Sequence, residues 1–124
     1  MSSPTLEGRT ILIVEDEPLI VMDVTMALEA TGVFVTSTNT LKHAQLLIEH
    51  DGLAGAILDH ALSDGNSAAL CARLTQRGIP YLIYSGLPHI DGECKNAPHL
   101  TKPATHEALL AAVEEMVNGN PFSN

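Results

Sequence analysis

Five short runs of apolar residues recur along the chain, separated by segments with helical periodicity. The last of these segments shows that periodicity most plainly, because Leu109, Ala112, Val113 and Met116 follow one another at i, i+3, i+4 and i+7. An alternation of short strands and amphipathic helices is typical of the α/β class. The predicted strands are residues 10–14, 33–36, 54–58, 81–84 and 98–101.

The third run, AGAIL at residues 54–58, is apolar at every position. That pattern indicates a central parallel strand covered by helices on both sides. Because crossovers between parallel strands are right-handed, the sequence predicts a doubly wound, five-stranded parallel sheet of flavodoxin-like order 2-1-3-4-5, with helices on both faces. We assign this domain to residues 9–118 and expect residues 1–8 and 119–124 to be flexible termini.

One segment between the last two predicted strands does not follow the helical pattern. Residues 87–98 read LPHIDGECKNAP, a stretch that contains two prolines, a glycine and the turn-forming Asp91 and Asn96. In a helix interior proline costs about 3 kcal/mol and glycine about 1 kcal/mol relative to alanine. We therefore expect at most a turn or two of helix in this segment.

Composition and charge narrow the range of possible functions. The 124 residues suit a single domain, and no apolar run approaches the roughly 20 residues that span a bilayer. Residues 1–8 lack the basic start and apolar stretch of a signal peptide, and a net charge of −9 disfavours phosphate backbones and anionic lipids. We predict a cytoplasmic protein that binds neither nucleic acid directly nor membranes. Cys71 and Cys94 lack zinc-type spacing, so we expect two reduced thiols.

Polar residues directly follow four of the predicted strands: Glu15 and Asp16 the first, Asp59 the third, Ser85 the fourth and Lys102 the fifth. Two carboxylates about 5 Å apart repel each other by roughly 3 kcal/mol at an effective dielectric constant of 20, so three of them must share a cation or bind protons. Mg²⁺ suits such oxygen ligands. The hydroxyl and the ammonium can hold phosphoryl oxygens, and Asp59 is placed to form an aspartyl phosphate.

Four sequence blocks resemble the signature blocks of the response-regulator receiver family, in the same order along the chain. They are residues 11–18 (ILIVEDEP), 56–59 (AILD), 82–86 (LIYSG) and 100–103 (LTKP). A single apolar run that ends in aspartate is common, whereas four blocks at compatible spacing are specific. The resemblance covers residues 9–118 and implies the same flavodoxin-like fold.

The resemblance also implies a role for each residue of the metal site. Asp59 corresponds to the phosphoacceptor and to a ligand of Mg²⁺, the implied cofactor. Asp16 corresponds to a direct ligand, Glu15 to an acidic residue that acts mainly through water, and Ala61 to a residue whose backbone carbonyl completes the site.

The remaining implied residues concern signalling. Ser85 corresponds to the switch hydroxyl of the family and Lys102 to its invariant lysine. His99 stands where most members have an aromatic residue that rotates inward on phosphorylation. It is either a second switch element or a strand-end histidine with satisfied hydrogen bonds.

By this resemblance the chain is a phosphoacceptor of a two-component phosphorelay. A histidine kinase or phosphotransfer protein would phosphorylate it, and a downstream target protein would bind its altered surface. It would not be an enzyme beyond catalysing its own phosphorylation and dephosphorylation. Two alternatives stay open: a phosphohydrolase that uses an aspartyl phosphate, and a non-phosphorylated pseudo-receiver that serves as an adaptor.

Overall fold

Five parallel strands form the central sheet of the computed structural model, which describes residues 6–86, 94 and 97–119. Within those residues strands alternate with helices except at two places: a short hairpin follows the third strand, and β7 is the next described element after β6. They are β1 (Thr10–Val14), α1 (Pro18–Glu29), β2 (Phe34–Thr38), α2 (Leu41–Leu47), β3 (Leu53–Leu58), β4 (Ala61–Leu62), β5 (Gly65–Asn66), α3 (Ala68–Arg77), β6 (Tyr81–Ser85), β7 (His99–Thr101) and α4 (His106–Gly119).

The strand order of the large sheet is β2-β1-β3-β6-β7, and every pairing in it is parallel. Counting only its own strands, this is the order 2-1-3-4-5, so the predicted α/β fold is confirmed. The winding reverses between β1 and β3, and the loops that follow these two strands therefore flank a crevice at the carboxyl edge of the sheet.

The core lies on both faces of the sheet. On one face Leu12 and Ile83 pack with Ala44 of α2 and Leu74 of α3, and on the other Ile57 packs with apolar residues of α1 and α4. Strand β3 supplies side chains to both clusters, which explains why its sequence carries no alternation of polar and apolar residues.

Two helices begin at the caps that the sequence supplies. The Glu17 carboxylate accepts a hydrogen bond from the amide of Leu19 at 3.2 Å, and Pro18 is the first residue of α1. The Thr40 hydroxyl accepts from the amide of His43 at 3.2 Å at the start of α2. Each of these helices begins only a few residues after the strand before it. The polar residues between strand and helix therefore lie at the carboxyl edge of the sheet.

A two-stranded antiparallel hairpin, β4 with β5, lies between β3 and α3. Its register pairs Ala61 with Asn66 and Leu62 with Gly65. Gly65 has a φ of 137°, a conformation that side chains with a Cβ rarely adopt. The hairpin therefore depends on glycine at this turn, and it lies directly after Asp59.

The amino-terminal boundary of the packed domain lies earlier than we predicted. Leu6 is fully buried with Ile11 and Val33, and the amide of Gly8 donates to the carbonyl of Gly32 at 2.9 Å. The expectation of a flexible terminus through residue 8 is therefore wrong for residues 6–8. An apolar residue two positions before a surface turn gave no periodic signal from which its burial could be inferred.

The two cysteines form a disulfide between α3 and residue 94, with a Cα–Cα distance of 5.5 Å. Our expectation of reduced thiols is therefore wrong: both residues are buried, at 0% and 1% exposure, in the same core cluster. Sequence spacing alone excluded a metal site but carried no information on whether the two residues meet.

Apart from Cys94, Ala97 and Pro98, the segment at residues 87–98 that we predicted to form at most a turn or two of helix lies outside the described residues.

None of the helices among the described residues combines the length and apolar character that crossing a bilayer requires.

Candidate functional site

Three carboxylates meet at the carboxyl edge of β1 and β3. Glu15 and Asp16 follow β1 and Asp59 follows β3, and one carboxylate oxygen from each lies within 4.8 Å of the others. Glu15 is 4% exposed and Asp16 is exposed, while the Asp59 side chain is 11% exposed. The structure thus brings together the acidic residues that the sequence predicted.

Lys102 supplies positive charge to this group. Its Nζ lies 2.6 Å from Oε1 of Glu15 and 3.3 Å from Oδ2 of Asp59, and 5.7 Å from the centre of the Tyr84 ring. Burial by itself would lower the pKa of Lys102, but the hydrogen bond that Lys102 donates to Glu15 and the charges of Asp59 and Glu15 outweigh this effect and raise that pKa. The lysine is therefore held in its charged form against the phosphoacceptor candidate.

The positive charge of Lys102 does not fully offset the effect of burial on Glu15. Its burial, with a further contribution from the charge of Asp59, raises its pKa above the ordinary value, although hydrogen bonds from Lys102 and from the Glu17 amide act in the opposite direction. Around the cluster, within the described residues, three carboxylates face one ammonium. A divalent cation would balance the two remaining negative charges, and an all-oxygen donor set of this kind fits Mg²⁺.

Two hydrogen bonds of the Asp59 backbone hold this residue beside the end of β1. Its amide donates to the carbonyl of Val14 at 2.9 Å, and its carbonyl accepts from the Ser67 hydroxyl at 2.5 Å. The amide of Ala61 donates to Oδ1 of Asp59 at 3.4 Å, so the backbone of Ala61 lies beside the cluster, and metal ligation by its carbonyl stays a prediction. Ser67, the residue before α3, is fully buried, and its side chain makes the hydrogen bond to the Asp59 carbonyl rather than capping the helix.

Ser85 and Lys102 lie next to each other across the last strand pair. The amide of Lys102 donates to the carbonyl of Ser85 at 3.0 Å, and Ser85 is buried at the carboxyl end of β6. His99 does not join the cluster. It is exposed, is the first residue of β7 and pairs in register with Ile83, and its role as a switch element stays a prediction.

An exposed apolar stripe begins beside the cluster. Leu19, Met22 and Met26 lie at i, i+3 and i+7 on α1, with exposures of 69%, 53% and 62%. A groove of about 460 Å³ connects the stripe to the carboxylates, because its lining includes both Met22 and Asp16. The exposure of these three residues could not be inferred from the sequence, because it depends on how α1 packs against the sheet.

No protein-family model matches the chain, and no curated protein matches it. Solved structures do. A CheY-like response regulator receiver domain protein from Methanospirillum hungatei has a TM-score of 0.81 at 22% identity, covering 90% of this chain and 94% of that one. The solution structure of SdrG from Sphingomonas melonis Fr1 has a TM-score of 0.79 at 30% identity, covering 93% of this chain and 99% of that one.

The chain belongs to the response-regulator receiver family. A further solved structure is similar in fold to this receiver domain. It is the receiver domain of a sensor histidine kinase from Pseudomonas aeruginosa, described with a magnesium ion coordinated in the active site cleft. The TM-score is 0.79 at 18% identity, with 89% of this chain and 98% of that one covered. At that identity the likeness concerns the fold alone.

Proposed function

We propose that this receiver domain accepts a phosphoryl group on Asp59 from a histidine kinase or a phosphotransfer protein of a two-component phosphorelay. The observation that carries the proposal is the group of three carboxylates held against Lys102 at the point where the winding of the sheet reverses. Phosphorylation would then change the surface that a downstream target protein binds.

The residues of the site divide the chemistry among them. An oxygen of Asp59 attacks phosphorus and forms the new O–P bond, while the P–N bond to the donor imidazole breaks and the ring nitrogen keeps the electron pair. Lys102 stabilises negative charge on the phosphoryl oxygens, and Ser85 offers a hydroxyl to one of them. Bound Mg²⁺ would offset charge on those oxygens and on the carboxylates.

The cation is proposed to be held by Asp16, Asp59 and the backbone carbonyl of Ala61. Glu15 is a weaker candidate for direct ligation, because its Oε1 already accepts a hydrogen bond from Lys102 at 2.6 Å and its Oε2 one from the Glu17 amide at 3.1 Å. Asp16 is exposed, and one of its carboxylate oxygens lies within 4.8 Å of an oxygen of Asp59. This arrangement supports a direct role for Asp16 and a water-mediated role for Glu15.

The phosphodonor is proposed to dock along α1. A donor protein must bring its phosphoryl group to Asp59, and the apolar stripe of Leu19, Met22 and Met26 adjoins the groove that leads there. A helical partner with an apolar face could cover this stripe while its phosphorylated histidine lies over the crevice. The net charge of −9 disfavours nucleic acid and anionic membranes as partners.

The chain is further proposed to catalyse only its own phosphorylation and dephosphorylation, and to act in the cytoplasm. A cytoplasmic location has to accommodate the Cys71–Cys94 disulfide, because disulfides are uncommon in that compartment. The redox state of these cysteines in cells therefore bears directly on the location.

Intact-mass measurement after incubation with acetyl phosphate tests the proposal. We expect a mass gain of one phosphoryl group with Mg²⁺, no gain with excess chelator, and no gain for Asp59→Asn. Asp51→Asn, which removes an exposed carboxylate at the opposite edge of the sheet, is the matched control and should be phosphorylated normally.

Two outcomes would favour the alternative functions. Sustained release of inorganic phosphate from phosphomonoesters, lost in Asp59→Asn, would indicate a phosphohydrolase. Failure of the wild-type chain to gain mass from acetyl phosphate or from a phosphorylated histidine protein would indicate a pseudo-receiver adaptor.

A further inference from the structure

The side chain of Asp64 links the β4–β5 hairpin to α2. Both carboxylate oxygens of Asp64 accept the amide of Leu41, at 3.0 Å and 3.1 Å, and Oδ2 lies 3.4 Å from the amide of Lys42. These hydrogen bonds hold the pKa of Asp64 below its ordinary value, so the carboxylate remains charged. The turn of the hairpin is thereby fixed to the first residues of α2.

A close approach reinforces this attachment. A Cβ added at Gly65 would lie 2.9 Å from Cδ1 of Leu41, so the backbone of the turn packs directly on the side chain that begins α2. The position of the turn is thus set by Asp64 through hydrogen bonds and by Gly65 through contact.

The same turn also touches the carboxylate cluster. The amide of Ser63, the residue before Asp64, donates to Oδ2 of Asp16 at 3.0 Å. Asp16 is exposed, and this is a hydrogen bond that restricts the orientation of its carboxylate. The first strand of the hairpin begins at Ala61, whose amide faces Oδ1 of Asp59 at 3.4 Å.

We propose that Asp64 is a positioning residue for cation binding at the carboxylate cluster. By fixing the turn to α2, Asp64 holds the Ser63 amide against Asp16 and keeps Ala61 beside Asp59, so both candidate ligands are oriented before the cation arrives. This inference rests on the proposed function, because it concerns the affinity of the same site for Mg²⁺. Residues that orient metal ligands typically contribute 10- to 100-fold in affinity.

Mg²⁺ titration followed by amide chemical shifts, with hydrogen exchange on the Mg²⁺-free protein, tests the inference on the full chain. We expect Asp64→Ala to weaken Mg²⁺ binding by about 10-fold, and to speed exchange at Ser63 as well as at Leu41. Asp64→Asn retains one acceptor oxygen and should lie between Asp64→Ala and the wild type. Asp51→Asn, which removes the same charge at the other edge of the sheet, should change neither measurement.

The outcomes separate this inference from the proposed function. Faster exchange at Leu41 with unchanged exchange at Ser63 and unchanged Mg²⁺ affinity would show that Asp64 only caps α2, and would overturn the inference. If the wild-type protein bound no Mg²⁺, the proposed cation site would fail. The exchange rate at Ser63 in Asp64→Ala would still decide whether Asp64 holds the turn.

Discussion

Replacing Lys102 by methionine tests the electrostatic description of the site most directly. Methionine keeps an unbranched side chain but removes an ammonium that lies 2.6 Å from Glu15 and 3.3 Å from Asp59. At an effective dielectric constant of 20 the gross attractions are about 6 and about 5 kcal/mol. Much of this is offset by the cost of removing the charges from water, and loss of one partner from a buried ion pair costs about 3–5 kcal/mol. The Lys102 side chain keeps 16% exposure, so we expect a loss of about 3 kcal/mol in unfolding free energy at neutral pH.

The loss of unfolding free energy in Lys102→Met should become smaller at acidic pH. The pKa of Glu15 is already raised by burial, and in Lys102→Met the hydrogen bond and charge that oppose this effect are gone, so that pKa should rise further. A carboxyl whose folded-state pKa is raised binds protons more readily in the folded chain, and protonating it relieves the buried charge. The difference in stability between wild type and variant should therefore narrow as pH falls from neutral towards 4.5, the ordinary glutamate value.

Urea unfolding followed by circular dichroism, in chelator and in Mg²⁺, provides the measurement. Mg²⁺ should stabilise Lys102→Met more than the wild type, because the cation replaces the missing positive charge at the cluster. Lys42→Met, which removes an exposed lysine on α2, is the control and should change stability by less than about 0.5 kcal/mol. Equal stability of Lys102→Met and wild type at neutral pH, with parallel pH profiles, would refute the electrostatic description.

Two further predictions concern other parts of the molecule. Met22→Glu should slow phosphoryl transfer from a phosphorylated histidine protein by about 10-fold, which is the effect of losing about 1.4 kcal/mol, and should leave phosphorylation by acetyl phosphate unchanged. Leu46→Glu, at a position on α2 that is 65% exposed, should affect neither, and a slower reaction of Met22→Glu with acetyl phosphate would count against docking on α1. The double variant Cys71→Ser, Cys94→Ser should lose about 3 kcal/mol in unfolding free energy, the chain-entropy value for the 23-residue separation. Alkylation of thiols in intact cells would show whether the pair is oxidised there, and full labelling of both cysteines would exclude the bond in that compartment.

The fold could be predicted from the sequence because β1 and β3, the strands at the centre of the sheet, are largely apolar and are followed directly by polar residues. The observed strand β3 begins one residue before its predicted start and β6 ends one residue later than predicted. The second strand was less well predicted, since β2 spans Phe34–Thr38 rather than residues 33–36. Its polar Ser37 and Thr38 resemble a loop in sequence, but backbone pairing with β1 extends the strand through them.

The contacts that the sequence could not predict depend on distant parts of the chain. Asp64 lies 23 residues from Leu41, and Ser63 lies 47 residues from Asp16, so no local pattern relates them. The burial of Leu6 likewise depends on distant residues, because its core cluster includes side chains of α1, β3, β6 and α4 as well as of the nearby β1. Residue types at strand ends predicted the composition of the site, whereas the orientation of its side chains required the folded chain.

The disulfide between α3 and residue 94 converts part of this receiver domain into a covalent ring. The ring contains β6, the strand that ends in Ser85. A single cut of the backbone between the two cysteines would leave both pieces covalently joined until the bond is reduced. Likewise, a force applied to the chain ends would pass through the sulfur bridge and bypass the 23-residue separation, so β6 would not be extended in line with the pull.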